Sequence, residues 1–410
     1  MIEFRDYQKQ IINKGIQTIR MYNFVYLAME VRTGKTLTSM GIAHFLKAKN
    51  VLFLTKKKAI SSIESDYELL APDFDITVIN YESMHKIPQR GWDFVILDEA
   101  HGMGAFPKPS KRAKDVKNLL AQNRARVILL SGTPTPESYS QMYHQVYGIL
   151  NNPFVSFKNF YRFADRYVMV QQKKISGYNV NDYSRASESV VDAMSPYTIR
   201  FSQKDAGFVV DTQEYVLRCP MDQRTKELIK LFKKDLVVEM EDGEVILGDT
   251  GVKQMSKVHQ MCSGTVKFES GKAVVLDTNK AEFIKQHFDG KKIGIFYKFK
   301  AELEALKTVF GDELVTELDD FNDTNKNIAL QIVSGREGIS LRQADALVYY
   351  NIDFSATSYW QSRDRMTTKE RMKNDIYWVF SEEGIEYQVY RTVTKKKDFT
   401  LKHYRKDLLS

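Results

Sequence analysis

Two cysteines in 410 residues, Cys219 and Cys262, stand far apart with no second thiol near either. That excludes a disulfide framework and a cysteine-rich zinc site, and it fits a reducing compartment. Long apolar runs are missing as well, and no stretch approaches the roughly 18 uninterrupted apolar residues that span a bilayer. The opening Met-Ile-Glu-Phe-Arg-Asp-Tyr carries no apolar export segment, so a cytoplasmic setting without a membrane is expected. What is present is a composition that folds, 43% hydrophobic and 12% aromatic, in a chain long enough for two or three cores. The formal charge of +8 points toward a polyanionic partner.

The chain is organised around residues 25–36, Val-Tyr-Leu-Ala-Met-Glu-Val-Arg-Thr-Gly-Lys-Thr, where a short apolar run breaks into Thr-Gly-Lys-Thr and a helix follows. Backbone N–H groups of such a turn, with the positive end of the helix behind them, point at an anion. Lys35 then reaches the β- and γ-phosphates of a nucleotide, Thr36 holds Mg²⁺, and Thr33 and Gly34 shape the turn so that backbone approaches phosphate. The usual pattern has a glycine five residues before the Gly-Lys pair, where this chain has Met29. Alone, the four residues also suit an ordinary strand-to-helix turn.

Upstream, Tyr7, Ile11, Ile12, Ile16 and Ile19 recur at helical spacing, and Arg5 and Gln8 sit at the head of that helix. The Gln8 amide offers a donor and an acceptor, which suits either an adenine edge or a surface helix. Downstream, apolar runs at 51–55, 76–82, 92–97 and 126–130 read as buried parallel strands. The first ends at Lys56-Lys57-Lys58, at the strand edge where open α/β sheets take ligands, a cluster equally suited to solvent. The third runs into Asp98-Glu99-Ala100-His101. A carboxylate at the tip of a buried strand, beyond a phosphate loop, is where a nucleotide-bound Mg²⁺ needs a ligand. Asp98 fits the metal, and Glu99 fits the base that orients and deprotonates an attacking water. The fourth ends in Ser131-Gly132-Thr133-Pro134, whose hydroxyls can sense a γ-phosphate or cap the next helix.

In this order, Thr-Gly-Lys-Thr, Trp-Asp-Phe-Val-Ile-Leu-Asp-Glu-Ala-His and Leu-Leu-Ser-Gly-Thr-Pro resemble motifs I, II and III of superfamily 2 helicases, closest to the Snf2-like branch. Looser matches follow at Tyr197-Thr198-Ile199-Arg200 and at His259-Gln260-Met261-Cys262-Ser263. Ser334-Gly335-Arg336-Glu337-Gly338-Ile339-Ser340-Leu341 resembles motif V, and Ser358-Tyr359-Trp360-Gln361-Ser362-Arg363-Asp364-Arg365 resembles motif VI. Two departures stand out: Arg32 occupies a position where the family has glycine, and Thr368 one where it has a second arginine, for which Lys369 or Arg371 would have to substitute.

The resemblance implies an α/β fold of two tandem RecA-like lobes with a helical and hairpin insertion between them. The corresponding boundaries are an ATP-binding lobe at 1–150, an insertion at 151–271, a second lobe at 272–380, and a basic tail at 381–410. Hairpins are expected around Lys173-Lys174 and around Asp242-Gly243. By the same resemblance the chain is an ATP hydrolase using Mg²⁺, with Lys35, Asp98, Glu99, Gln361 and Arg365 in catalysis. Arg5, Gln8, Thr33, Gly34, Lys35 and Thr36 bind the nucleotide, and Thr36 and Asp98 hold the metal. Arg365 neutralises charge on the transferred phosphoryl group. Lys56, Lys57, Tyr81, Ser334 and Arg336 contact nucleic acid. The implied activity is DNA-dependent translocation on, or remodelling of, duplex DNA by a monomer, the alternatives being a strand-separating or branch-migrating helicase and an RNA-dependent motor. A bacterial or viral source is expected, with a nuclear location if the source is eukaryotic.

Overall fold

The computed structural model describes residues 3–175, 178–208, 211–335, 339–355, 358–359, 362–368 and 371–395. The chain divides into two compact units, 1–208 and 209–410. Residues 151–271, expected as an insertion of their own, are therefore shared between the two.

The first unit opens with helix α1, Asp6–Tyr22, which buries Ile11, Ile12 and Ile19 and ends at Asn23 in a left-handed conformation (φ 61°). Its sheet comprises β1 (Phe24–Met29), β2 (Asn50–Thr55), β3 (Asp75–Asn80), β4 (Phe94–Leu97) and β5 (Arg126–Leu130), with β8 (Thr198–Phe201) added after a two-stranded hairpin of β6 (Gln171–Ile175) and β7 (Tyr178–Asp182). The spatial order is β3-β2-β4-β5-β1-β8, and every pairing is parallel. The strand sequences are apolar at nearly every position because both faces are covered. Tyr26, Leu52, Leu54, Val95, Leu97 and Leu129 enter one core, while their neighbours Val25, Leu27, Phe53, Ile96 and Ile128 enter the other. Parallel pairing brings the carboxyl ends of β1, β2, β4 and β5 to one edge, and all the chemistry-bearing turns of this unit leave from there.

The second unit repeats the plan. Its strands are β9 (Asp211–Cys219), a hairpin of β10 (Val237–Glu239) and β11 (Val245–Leu247), a second small pair β12 (Thr265–Lys267) and β13 (Ala273–Val275), then β14 (Ile293–Tyr297), β15 (Leu314–Val315), β16 (Asn327–Gln331), β17 (Ala346–Tyr349) and β18 (Lys373–Ser381). Its six-stranded sheet runs β15-β16-β14-β17-β18-β9, again parallel throughout. Phe296, Tyr349 and Trp378 fill one face, Ile295, Val348 and Val379 the other. Two all-parallel sheets with cores on both faces are the tandem RecA-like architecture that the motifs imply.

Both expected hairpins form. Val237 pairs with Leu247 around Asp242-Gly243, and Gly243 takes the positive φ (80°) such a turn requires. In the other, Lys173 and Lys174 lie within β6 rather than at the reversal, since Ile175 pairs with Tyr178. Among the described residues no helix is long and apolar enough to cross a membrane. The tail from 396 onward lies outside the described residues.

Candidate nucleotide site

At the end of β1 the chain turns through 30–34 into helix α2, Lys35–Phe45. Gly34 is its N-cap in a left-handed conformation (φ 78°, ψ 35°), and no side chain caps the helix start. The leading N–H groups thus face outward at the positive end of the dipole, an arrangement that binds phosphate. A Cβ at Gly34 would lie 2.6 Å from Gln8 Nε2, so this position demands glycine twice over. Thr33 is fully buried, its hydroxyl donating to Glu30 O (2.7 Å).

Arg32, where the family has glycine, takes φ 63°, the left-handed conformation that a glycine adopts freely, so an arginine sits in a strained place. Such strain costs about 1 kcal/mol. Arg32→Gly is therefore expected to raise the melting temperature by about 2–4 °C; a lower value by calorimetry would show that the arginine side chain stabilises the loop more than its backbone strains it.

Gln8 is 5% exposed, and its amide is engaged locally: Oε1 accepts from Arg5 N (3.0 Å), while Nε2 reaches Gly34 O and Thr38 Oγ1, each at 3.4 Å. The Tyr7 hydroxyl donates to Thr33 O (3.3 Å) and its ring stacks on Phe201. The head of α1 thereby buttresses the phosphate loop, with Arg5 exposed beside it.

Asp98 leaves β4 at the same edge. Thr55, at the end of β2, donates its hydroxyl to Asp98 Oδ2 (2.8 Å), and Tyr81 donates to the Asp98 carbonyl (2.6 Å). Burial, with the Glu99 charge second, raises the Asp98 carboxyl to about 6, and the Lys35 ammonium opposes the shift. Lys35 and Asp98, predicted from separate stretches, are thus electrostatic neighbours. Glu99 has φ 50°, another left-handed non-glycine residue at this edge. Its Oε2 lies 3.2 Å from Nδ1 of His101, and that nitrogen lies 3.0 Å from Ser131 Oγ. Ser131 also accepts from Thr133 N (3.1 Å). The serine therefore ties the turn after β5 to the one after β4 instead of capping a helix, a link across thirty residues that the sequence does not display.

Because Asp98 holds its proton up to about 6, well above its ordinary 3.8, the proton favours the folded chain. That contribution is complete below the ordinary value and disappears as pH rises through about 6. If Asp98 is the Mg²⁺ ligand that the motif implies, affinity for Mg²⁺-nucleotide should fall about tenfold per pH unit below about 6. A titration with a fluorescent nucleotide from about pH 5 to 7 checks this; a flat profile would remove Asp98 from the metal site.

Tyr81 corrects an expectation. Rather than contacting nucleic acid, it is 4% exposed, its hydroxyl is bound to Asp98 and the Arg112 guanidinium lies 4.4 Å from its ring centre. Lys57 is exposed and Lys56 half-buried at the carboxyl end of β2.

The SNF2-related domain profile matches residues 41–267, more than half of the chain. The chain belongs to the SNF2-related family. A profile for the res subunit of type III restriction enzymes matches residues 1–75 of this SNF2-related chain. The ISWI chromatin-remodeling complex ATPase ISW1 of Saccharomyces cerevisiae is 20% identical over 378 residues, covering 80% of this chain and 31% of its own length. The chromatin-remodeling ATPase INO80 of Drosophila melanogaster is 22% identical over 184 residues, covering 45% of this chain and 10% of its own. The chain thus spans at most about a third of the length of these curated relatives. The SWI2/SNF2 ATPase core of Sulfolobus solfataricus in complex with dsDNA aligns with a TM-score of 0.44 at 16% identity, covering 96% of this chain and 91% of that one.

In the second unit of the SNF2-related chain, Arg365 lies in a tight turn, Arg363–Met366, not in a regular helix. It is 8% exposed; Nη1 donates to Ile339 O (3.3 Å), and its own carbonyl accepts from Leu341 N (2.8 Å). Arg371, one of the two candidates to stand in for the arginine missing at Thr368, is engaged within its own unit. Its guanidinium binds the carbonyls of Lys373 (3.0 Å), Ala344 (2.8 Å), Arg342 (3.3 Å) and Asp345 (3.0 Å), clamping a loop of its own unit. Gln361, Arg336 and Lys369 lie outside the described residues, as does the side chain of Ser334, which lies within the short helix Ile332–Gly335.

Proposed function

We propose that the chain is a DNA-dependent ATPase that couples ATP hydrolysis to movement along, or remodelling of, duplex DNA. The observation that carries this reading is the meeting of Lys35, Asp98 and Glu99 at one sheet edge beside an uncapped helix start. Lys35 and the leading N–H groups of α2 hold the β- and γ-phosphates. Glu99, whose buried Oε2 lies against His101, takes a proton from the attacking water at its other carboxylate oxygen. Arg365 is assigned the charge that develops on the γ-phosphoryl group.

The residues fit Mg²⁺: Asp98 is a buried carboxylate whose charge Lys35 and Thr55 meet only in part, and Thr36 stands next to Lys35 at the helix start. Bound there, Mg²⁺ would supply Lewis-acid polarisation of the phosphoryl oxygens. Thr36 and Asp98 would hold it, with Thr55 and Tyr81 keeping Asp98 in place.

Contacts to DNA fall mainly on phosphates, through Lys56 and Lys57 and, in the second unit, Ser334 and Arg336. Binding is then weakly sequence-selective and falls steeply with salt. The working unit is read as a monomer in the cytoplasm, or in a eukaryotic nucleus, and the two free, buried thiols suit either compartment.

Displacement of a third strand from a blunt duplex tests the reading. ATP-dependent displacement without unwinding of forked DNA is expected. Unwinding of the fork would make the chain a helicase, and stimulation by RNA alone would make it an RNA motor.

A further inference from the structure

The carboxylate of Glu214, in the middle of edge strand β9, is 14% exposed and collects donors from four side chains. Tyr359 donates its hydroxyl at 2.8 Å to Oε1 and 3.0 Å to Oε2; Trp378 Nε1 and the Tyr390 hydroxyl each lie 3.0 Å from Oε2. Arg363 Nη2 completes the set at 3.2 Å from Oε1. A carboxylate has about four acceptor positions, so Glu214 is saturated. Burial, with the Glu214 charge second, holds the Tyr359 and Tyr390 phenols above their ordinary values, and both stay donors.

A charged hub is a poor device for stability alone, because apolar residues of similar volume commonly do as well. What it adds is geometry. Arg363 opens the turn that carries Arg365, and the far side of that turn is tied through the bond from Leu341 N to the Arg365 carbonyl. Tyr390 reaches the hub from the helix Glu386–Val393. The start of that helix is rooted by a buried ion pair, Lys280 Nζ to Glu386 Oε1 at 2.9 Å, with the two side chains 3% and 0% exposed. The helix thus has a fixed seat from which Tyr390 meets Glu214.

We propose that Glu214 is a positioning residue that presets the Arg365 turn, and that the helix Glu386–Val393 takes part through Tyr390. Both act through Arg363. This inference rests on the ATPase reading given above.

The test is a double-mutant cycle on steady-state ATP turnover with duplex DNA. Glu214→Gln replaces an acceptor with a donor among donors, and kcat should fall about 10- to 100-fold with KM for ATP within about twofold. In an Arg365→Ala background, where there is no guanidinium left to position, the same change should cost less than about twofold. Tyr390→Phe removes one hydroxyl from an otherwise intact core and should lower kcat about threefold, again only when Arg365 is present. If Glu214→Gln does not fold, the Tyr390→Phe cycle decides. Losses that multiply in the Arg365→Ala background, or an unchanged kcat in either single variant, overturn the positioning role alone. A wild-type chain with no ATP turnover overturns the ATPase reading and this proposal together.

Discussion

Glu99→Gln is expected to yield a chain that binds ATP and barely hydrolyses it. Glu99 lies in a strained left-handed conformation with its carboxylate 3.2 Å from His101, at the edge where the phosphate loop also ends. The amide keeps the shape and loses the ability to take a proton, so turnover should fall by about 10²- to 10⁴-fold. Nucleotide affinity should stay within a few-fold, because Lys35, Gly34 and the start of α2 are untouched. The second oxygen neighbour of His101, Ser131 at 3.0 Å, keeps the imidazole in place. Single-turnover hydrolysis with a parallel binding titration separates the two effects, and equal loss of binding and turnover would make Glu99 a structural residue.

Lys35→Ala should cost more, with turnover falling about a thousandfold or further. The ammonium opposes the rise of the Asp98 carboxyl, which already stands at about 6. Removing it takes a charge from the phosphates and also lets the Asp98 proton bind more tightly, so Mg²⁺ competes less well at neutral pH. Duplex DNA affinity should remain within about threefold, since the phosphate contacts assigned to DNA lie elsewhere. Turnover at the wild-type rate would reject the phosphate-loop assignment.

How much of this was legible in the sequence follows from the range of each interaction. The phosphate loop and Asp98-Glu99 could be read because their chemistry is local: a glycine turn opening a helix, and acids at the tip of an apolar strand. The path at Arg32 could not, since only backbone angles show that an arginine has taken a glycine's conformation. Tyr81 misled because a tyrosine after a strand looks available, whereas its hydroxyl closes on a carbonyl seventeen residues away. Thr55 and the His101–Ser131 pair are likewise products of parallel strand order, which no short window contains. The division at 208 was hidden by polar edge strands. β9, Asp-Thr-Gln-Glu-Tyr-Val-Leu-Arg-Cys, is mostly exposed or half-buried and lacks the apolar run that marks a central strand. Its Glu214 finds partners 145 to 176 residues further on, beyond the reach of any spacing rule.

The measurement that bears most directly on the central claim is steady-state ATP hydrolysis by the wild-type chain with Mg²⁺, with and without blunt duplex DNA. The site described here predicts slow turnover alone and a rise of at least about tenfold with duplex, abolished by Lys35→Ala. Hydrolysis that no nucleic acid stimulates, or that survives loss of Lys35, would contradict it.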